Sequence, residues 1–527
     1  MTRPLTGFGV LLRTFARRDL WMVLWFTVGL TILYWSQGVS VDGLYKTQAE
    51  FDRAAASMES NAAFIAMTGP ARALNTTGGQ VAWQSTAFGA ILVGLMAMFL
   101  IGRHTRAEEE SGRDELIRSG VVGRQAPMTA ALVLTTMASA IVGAGVTASL
   151  VAYGLPAAGG VSLGLGLGLS GVAFGAIALL AAQLTSSTRA TYGITGAVIG
   201  LAYGLRAIGD VGNGVLSWLS PIGWYQAMHA YSGERWWPAL LLLAAAVVAS
   251  AAAYAVFAHR DVGSGVWPTR PGPARAPAGL RGAYGLAWRL QRGSLLAWAV
   301  GLFVGGIAYG SIGKDVNSLL GDSDFARDMF GGDGPDLVDS FYGSSALMLA
   351  LITAGFTISS ALRPRGEESE GRVEALLATA LPRSRWLRSH LVITLGGTIG
   401  IVVLGGLGMG LGYALVTGDD SKIGPFTWAT TSLLPAVLVL AGVAVLLYGV
   451  APRAASAAWL ALLFCFVVML FGEVLRFPDW VRDLSPFEHL ALVPAEDFEL
   501  FPVVAVAALA ALVSVAGQIA FRRRDIG

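Results

Sequence analysis

The chain has 527 residues, of which 54% are hydrophobic and only 13% charged, with 36 basic and 34 acidic side chains giving a formal net charge of +2. An ordinary soluble domain carries about 25% charged residues, so this composition excludes one, and no nucleic-acid partner is expected. Apolar runs of about 20 residues recur along the whole length, as in a polytopic membrane protein.

The single cysteine, Cys465, lies in an apolar run, cannot close an intrachain disulfide, and reads as an inert buried thiol. Five scattered histidines give no metal signal. Residues 4–19 combine apolar side chains with Arg13, Arg17 and Arg18, the pattern of a helix lying along the membrane surface before a first span at about 20–36. A polar segment containing Lys46 leads to a second span at about 81–101. A charged stretch follows, RAEEESGRDELIRSGVVGR at 106–124. Four further spans are expected at about 127–153, 159–185, 190–209 and 237–257. Between the last two, Trp218, Trp224, Tyr225, Trp236 and Trp237 mark an interfacial or partly re-entrant loop. The segment FAHRDVG closes this half at 257–263, and Pro268, Pro271, Pro273 and Pro277 make 264–282 a linker that cannot be helical.

From 283 to 527 the same order returns, with spans expected at about 295–310, 344–361, 389–416, 426–450, 454–472 and 500–520. The charged stretch returns as RGEESEGRVEALLATALPR at 365–383, displaced by 259 positions. Arg106, Glu108, Glu109, Gly112, Arg113, Glu115 and Arg124 coincide with Arg365, Glu367, Glu368, Gly371, Arg372, Glu374 and Arg383. FRRRDIG at 521–527 answers FAHRDVG, and Leu484-Ser485-Pro486 answers Leu219-Ser220-Pro221. The expected fold is therefore all-α: twelve spans as two parallel six-helix repeats, 1–263 and 283–527, each opened by an interfacial helix and joined by the linker.

An even number of spans per half gives both halves one orientation, and the arginines then cluster on one side. By the positive-inside rule that side is cytoplasmic and holds both termini, in the plasma membrane. The three lysines, Lys46, Lys314 and Lys422, fall on the other side.

On a continuous helix at about 100° per residue, the six coinciding residues before Arg124 share half the circumference. This retained face reads as a docking surface. The competing reading is a solvated helix held by Glu109 to Arg113 and Glu368 to Arg372 pairs. Each retained glycine costs a helix roughly 1 kcal/mol relative to alanine, so Gly112 and Gly371 imply either a close backbone approach or a break.

The two stretches, RAEEESGRDEL and RGEESEGRVEALL, resemble the segment after the second span of type-2 ABC exporter permeases, where REExGTxExLL is typical. The fused pair closing twice in FxxRDxG resembles the actinobacterial branch of polyketide-antibiotic and multidrug exporters, including tetronasin-resistance-like permeases. The resemblance implies that the stretches are coupling helices on which an ATPase docks, through Arg106, Glu108, Glu109, Gly112, Arg113 and Glu115 in one half. In the other half it implies Arg365, Glu367, Glu368, Gly371, Arg372 and Glu374. Arginine stands at Arg113 and Arg372 where that family has threonine. No GxxxxGK[ST] occurs, so ATP and magnesium would be held by two copies of a separate ATPase, one per docking helix.

The absence of Asp, Glu, Lys and His from the middles of the spans points to a bulky apolar or amphipathic cargo such as an antibiotic, drug or lipid. Asp19, Arg206, Asp210, Glu473 and Arg476 sit only at span ends. By analogy with the family, Gln84, Ser85, Met96, Met348, Phe356, Phe464, Phe466 and Met469 are path candidates, each equally explained by packing or lipid contact. A proton-coupled antiporter of the major facilitator type shares the six-plus-six architecture and stands as the alternative; a membrane-embedded enzyme is a third reading.

Overall fold

A computed structural model describes residues 4–44, 47–59, 62–261, 265–267, 274–280, 282–312, 335–471 and 477–525. Lys46, Lys314, Glu473, Arg476, Pro268, Pro271, Pro273, and the ends of the two FxxRDxG segments at Val262, Gly263, Ile526 and Gly527 lie outside the described residues. Among the described residues all regular structure is helical. Contacts along the backbone divide the chain into two compact units, Met1–Pro271 and Gly272–Gly527.

The first unit contains α1 (Phe8–Leu44), α2 (Gln48–Glu59), α3 (Ala62–Thr68), α4 (Thr77–His104), α5 (Arg106–Glu110), α6 (Arg113–Arg118), α7 (Ala126–Tyr153), α8 (Ala157–Leu184), α9 (Thr188–Val211), α10 (Pro221–Gln226) and α11 (Pro238–His259). The second contains α12 (Ala283–Gly310), α13 (Pro335–Ala361), α14 (Arg363–Ser369), α15 (Arg372–Leu377), α16 (Arg383–Thr417), α17 (Ile423–Ser432), α18 (Leu434–Val450), α19 (Ala458–Phe471), α20 (Asp479–Arg482) and α21 (Leu500–Arg523). Among the described residues twelve stretches of helix are long and apolar enough to cross a bilayer, and each expected span falls on one of them. The protein is a multi-pass membrane protein.

The expected separate surface helix before the first span is not what forms. Helix α1 runs unbroken for 37 residues, about 55 Å at 1.5 Å per residue, against a hydrocarbon core of about 30 Å. The cause is local: from Val10 to Val28 there is neither glycine nor proline, so nothing ends the helix where its polarity changes. In the second unit α12 likewise carries Arg289 and Arg292 into its span without interruption.

Within the first unit α4 and α8 are the most enclosed spans, packed on each other and ringed by α1, α7, α9 and α11. Their core gathers Tyr34, Met96, Leu134, Leu167, Phe174 and Tyr225. In the second unit α13 and α18 occupy the enclosed positions, α12 pairs with α16, and α21 lies on α18. Small residues permit these approaches, as expected where lipid removes any hydrophobic drive between helices. A Cβ at Gly306 on α12 would stand 2.1 Å from the Gly405 carbonyl oxygen on α16, which only glycine tolerates. The tryptophan-rich segment folds as a short 3-10 turn followed by α10, and Trp218 stacks on Trp237 with ring centroids 5.3 Å apart.

Candidate functional site

The charged stretch is not one helix in either unit. In the first, α5 stops at Glu110, Gly112 takes a left-handed conformation with φ 73°, and α6 starts again at Arg113. In the second, α14 stops at Ser369, Gly371 has φ 70°, and α15 starts at Arg372. A Cβ at either glycine would meet nothing within 4 Å. Nothing within the chain approaches either glycine, and the break, with its positive φ, is what requires them here.

The break removes the register on which the Glu109 to Arg113 and Glu368 to Arg372 pairs depended, and neither pair forms. Arg113 instead reaches Glu108 at 3.9 Å, and Arg372 reaches Glu367 at 2.6 Å and also pairs with Glu370. The bond to Glu367 pushes the pKa of the Arg372 guanidinium further up.

The acidic residues freed from those pairs turn inward. Glu109 accepts from Arg106 at 2.8 Å and takes Arg260 on both oxygens, at 2.5 and 3.1 Å. The Glu109 side chain is only 8% exposed, and Arg106 and Arg260 are buried beside it. Arg106 also donates to the Ala182 carbonyl at 2.5 Å and Arg260 to Gln183 at 2.8 Å, so the end of α8 is drawn in. Arg124 donates to the carbonyls of Phe257 and Arg260 at 3.0 and 2.9 Å, with its guanidinium 5.1 Å from the Phe257 ring centre. Glu108, 6% exposed, pairs with Arg18 of α1, and Glu110 accepts from the backbone and hydroxyl of Thr188 at the start of α9.

The second unit carries a corresponding set. Glu368 accepts from Arg524 at 2.7 Å and from Tyr448 of α18 at 2.5 Å. Arg383 donates to the Arg524 carbonyl at 2.9 Å, and the Arg524 guanidinium lies 5.0 and 5.4 Å from the rings of Tyr448 and Phe521. Glu367, 4% exposed, is held by Arg363 at 3.0 Å and by Arg372. Arg365 donates to the Arg453 carbonyl at 3.4 Å. Charge-assisted bonds of this kind, bidentate where arginine permits, are the strong ones.

In each unit the carboxylate of the broken stretch is thus clamped by the arginine of the closing FxxRD segment. That arginine is in turn held by the arginine that precedes α7 or opens α16. Arg260, Arg524, Tyr448, Gln183 and Arg18 were not among the site residues expected from the sequence. The available signal was that both FxxRD and the glutamate pair occur twice, at matching places.

The expected docking residues therefore divide in two. Arg106, Glu108, Glu109, Glu367 and Glu368 are engaged inside their own unit, whereas Arg113, Glu115, Arg372 and Glu374 are exposed, as is Leu116 at 75%. The path candidates also divide. Ser85, Met96 and Phe356 are buried in the packing of their own units, whereas Gln84, Met348, Phe464, Phe466 and Met469 are half-buried. Asp19 is fully buried against Arg103 at 2.5 Å and His104, directly beneath the start of α5. Arg206 is buried as well, 3.5 Å from Asp210, and donates to the Met67 carbonyl at 3.0 Å.

Comparison with known proteins gives two findings. The C-terminal domain of the multidrug efflux system permease Rv1217c matches residues 280–522. The chain is 40% identical over 531 residues to the multidrug efflux system permease protein Rv1217c of Mycobacterium tuberculosis, covering 99% of this chain and 95% of that protein. A relative this similar along its whole length establishes that the chain, with its twelve spans and two clamped, broken charged stretches, belongs to the Rv1217c family of multidrug efflux permeases.

Proposed function

We propose that the chain is the membrane-spanning part of an ATP-driven exporter of bulky apolar or amphipathic compounds, worked by two copies of a separate ATPase that hold the ATP and magnesium. The observation that carries this reading is the pair of broken stretches with one design: a left-handed glycine, an inward carboxylate and an arginine from the closing helix. A partner pressing on a loose surface loop would deform only that loop. A stretch clamped to the ends of α8 and α11, or of α18 and α21, passes the push into the spans.

On this reading the docking face is narrower than the whole retained stretch. Arg113, Glu115 and Leu116 in the first unit, and Arg372, Glu374 and Ala375 in the second, meet the ATPase. The buried carboxylates Glu108, Glu109, Glu367 and Glu368 hold that face in place. The recurrence of the same helix neighbours and the same clamp in both units supports a duplicated six-span module, one ATPase per copy, both stretches and both termini facing the cytoplasm. The half-buried Gln84, Met348, Phe464, Phe466 and Met469 are the path residues to test first.

The decisive experiment is co-purification with the product of a neighbouring ATPase gene, followed by transport in proteoliposomes. Drug export that requires ATP and survives a protonophore is expected. The double reversal Glu115→Lys with Glu374→Lys should abolish association while the permease still extracts and runs as a monodisperse species. Export that persists without ATPase and collapses with the proton gradient would establish the antiporter reading instead.

A further inference from the structure

Helix α4 has its charged stretch at one end and, about 30 Å away at 1.5 Å per residue, a small polar cavity at the other. The cavity has a volume of about 40 Å³ and is lined by Arg72, Trp83, Thr86, Gln226, His229 and Ser232, among others. One water needs about 10–15 Å³ by this measure, so there is room for a few waters or one small oxyanion.

Asp210 favours the Arg72 charge but does not pair with it. Among the described residues Arg72 makes no ion pair: Asp210 is held by Ser217 at 2.5 Å and Arg206 at 3.5 Å, and Glu234 accepts from the Tyr231 backbone at 3.3 Å. No acidic side chain lines the cavity. Burial, together with Arg72 and Arg235, pushes the His229 imidazole down to about 4, so it stays neutral and can donate one N–H at ordinary pH. The amide nitrogen of Gln226 is fixed on the Thr68 carbonyl at 2.7 Å, and its buried Oε1 has no hydrogen-bond partner.

The walls are also held under backbone strain. Among the described residues only Ala73, His229 and Tyr231 are non-glycines with positive φ, at 47°, 53° and 60°; His229 lines the cavity, and the other two are chain neighbours of the lining residues Arg72, Ala230 and Ser232. Such a conformation is costly for a residue with a side chain and persists only where its surroundings enforce it. Here they do: a Cβ at Gly78 or Gly159 would overlap the Tyr231 ring at 2.6 or 2.1 Å. Counting from the shared Leu-Ser-Pro, the second unit has Pro494 where the first has His229, followed by Glu496 and Asp497, so the feature belongs to the first unit alone.

We propose that this cavity is a binding site for a small oxyanion, phosphate or carboxylate, carried either free or as the headgroup of an amphiphile, with Arg72 as its counter-charge and the His229 imidazole as an N–H donor. The full chain in a neutral detergent would be titrated calorimetrically with inorganic phosphate, dihexanoyl phosphatidic acid and uncharged dihexanoylglycerol. Binding of at least one phosphate-bearing probe, weakened at least tenfold in Arg72→Gln and restored to within about threefold in Arg72→Lys, is expected. Inorganic phosphate binding alone as tightly as the lipid identifies a free anion; binding of the phosphatidic acid only identifies a headgroup. The proposal fails if neither phosphate probe binds, if Arg72→Gln binds as the unaltered protein does, or if dihexanoylglycerol binds as tightly as phosphatidic acid. This last comparison needs no variant and decides the matter even if Arg72→Gln does not fold.

Discussion

Glu109 and Glu368 sit where three segments of their unit meet, and each meets the arginine that closes it. Removing one partner of a buried, hydrogen-bonded pair leaves the other charge stranded, at a cost of about 3–5 kcal/mol. Glu109→Gln strands two cations, Arg106 and Arg260, and is expected to lower stability by about 3 kcal/mol in chemical unfolding. Glu368→Gln should cost less, because its carboxylate is 19% exposed and Tyr448 can still bond the amide. A double-mutant cycle of Glu109→Gln with Arg260→Gln should return a coupling of about 1–3 kcal/mol; a value near zero would mean the pair is ornamental. His229 gives a pH prediction. Its folded pKa of about 4 lies below the ordinary 6.5, so the unfolded chain binds the extra proton as pH falls between those values, and stability falls with it. Between pH 7 and 5 the loss should be about 1 kcal/mol after allowance for its half-buried setting, read as a drop in Tm that Glu or Gln at position 229 removes or changes in sign.

At the scale of the element, the two left-handed glycines decide what the charged stretch is. Replacement by alanine meets no neighbour, so Gly112→Ala and Gly371→Ala should each cost only the backbone term, about 1–2 kcal/mol. The spans should be untouched while hydrogen exchange rises across 113–118 or 372–377. Asparagine, which tolerates this conformation, should recover part of the loss. If alanine leaves exchange and export unchanged, the break has no bearing on either. The glycines' two possible meanings were legible in the sequence, but the choice between them was not, since periodicity treats a stretch as one helix until a torsion angle says otherwise. The retained acidic face was legible as well, whereas its partners within the unit were not: Arg260 lies 151 positions beyond Glu109, and nothing in a linear repeat says that two recurring motifs touch. The missing break in α1 has a similar origin, because a change in polarity at Arg17, Arg18 and Asp19 marks where water ends and not where a helix does.

At the scale of the whole molecule, the twelve spans could be read directly from composition and apolar run length, because the bilayer permits few alternatives. The partition into Met1–Pro271 and Gly272–Gly527 sets a test of equivalence. The first clamp is the more buried and draws in α1 through Arg18, whereas the second leans on Tyr448. On the proposed function, reversing Glu115 alone and Glu374 alone should therefore weaken ATPase association unequally, with the partner held more firmly at the first stretch; equal losses would mean that the clamp does not set the strength of docking.

The order of synthesis adds a constraint. Arg260 and Arg524 emerge from the ribosome after every other member of their clamps. A nascent chain can thus thread all the helices of a module into the bilayer while its charged stretch is still unfastened, and only the closing arginine latches it. On the proposed function, the docking face of each module is therefore complete only once its closing arginine is in place.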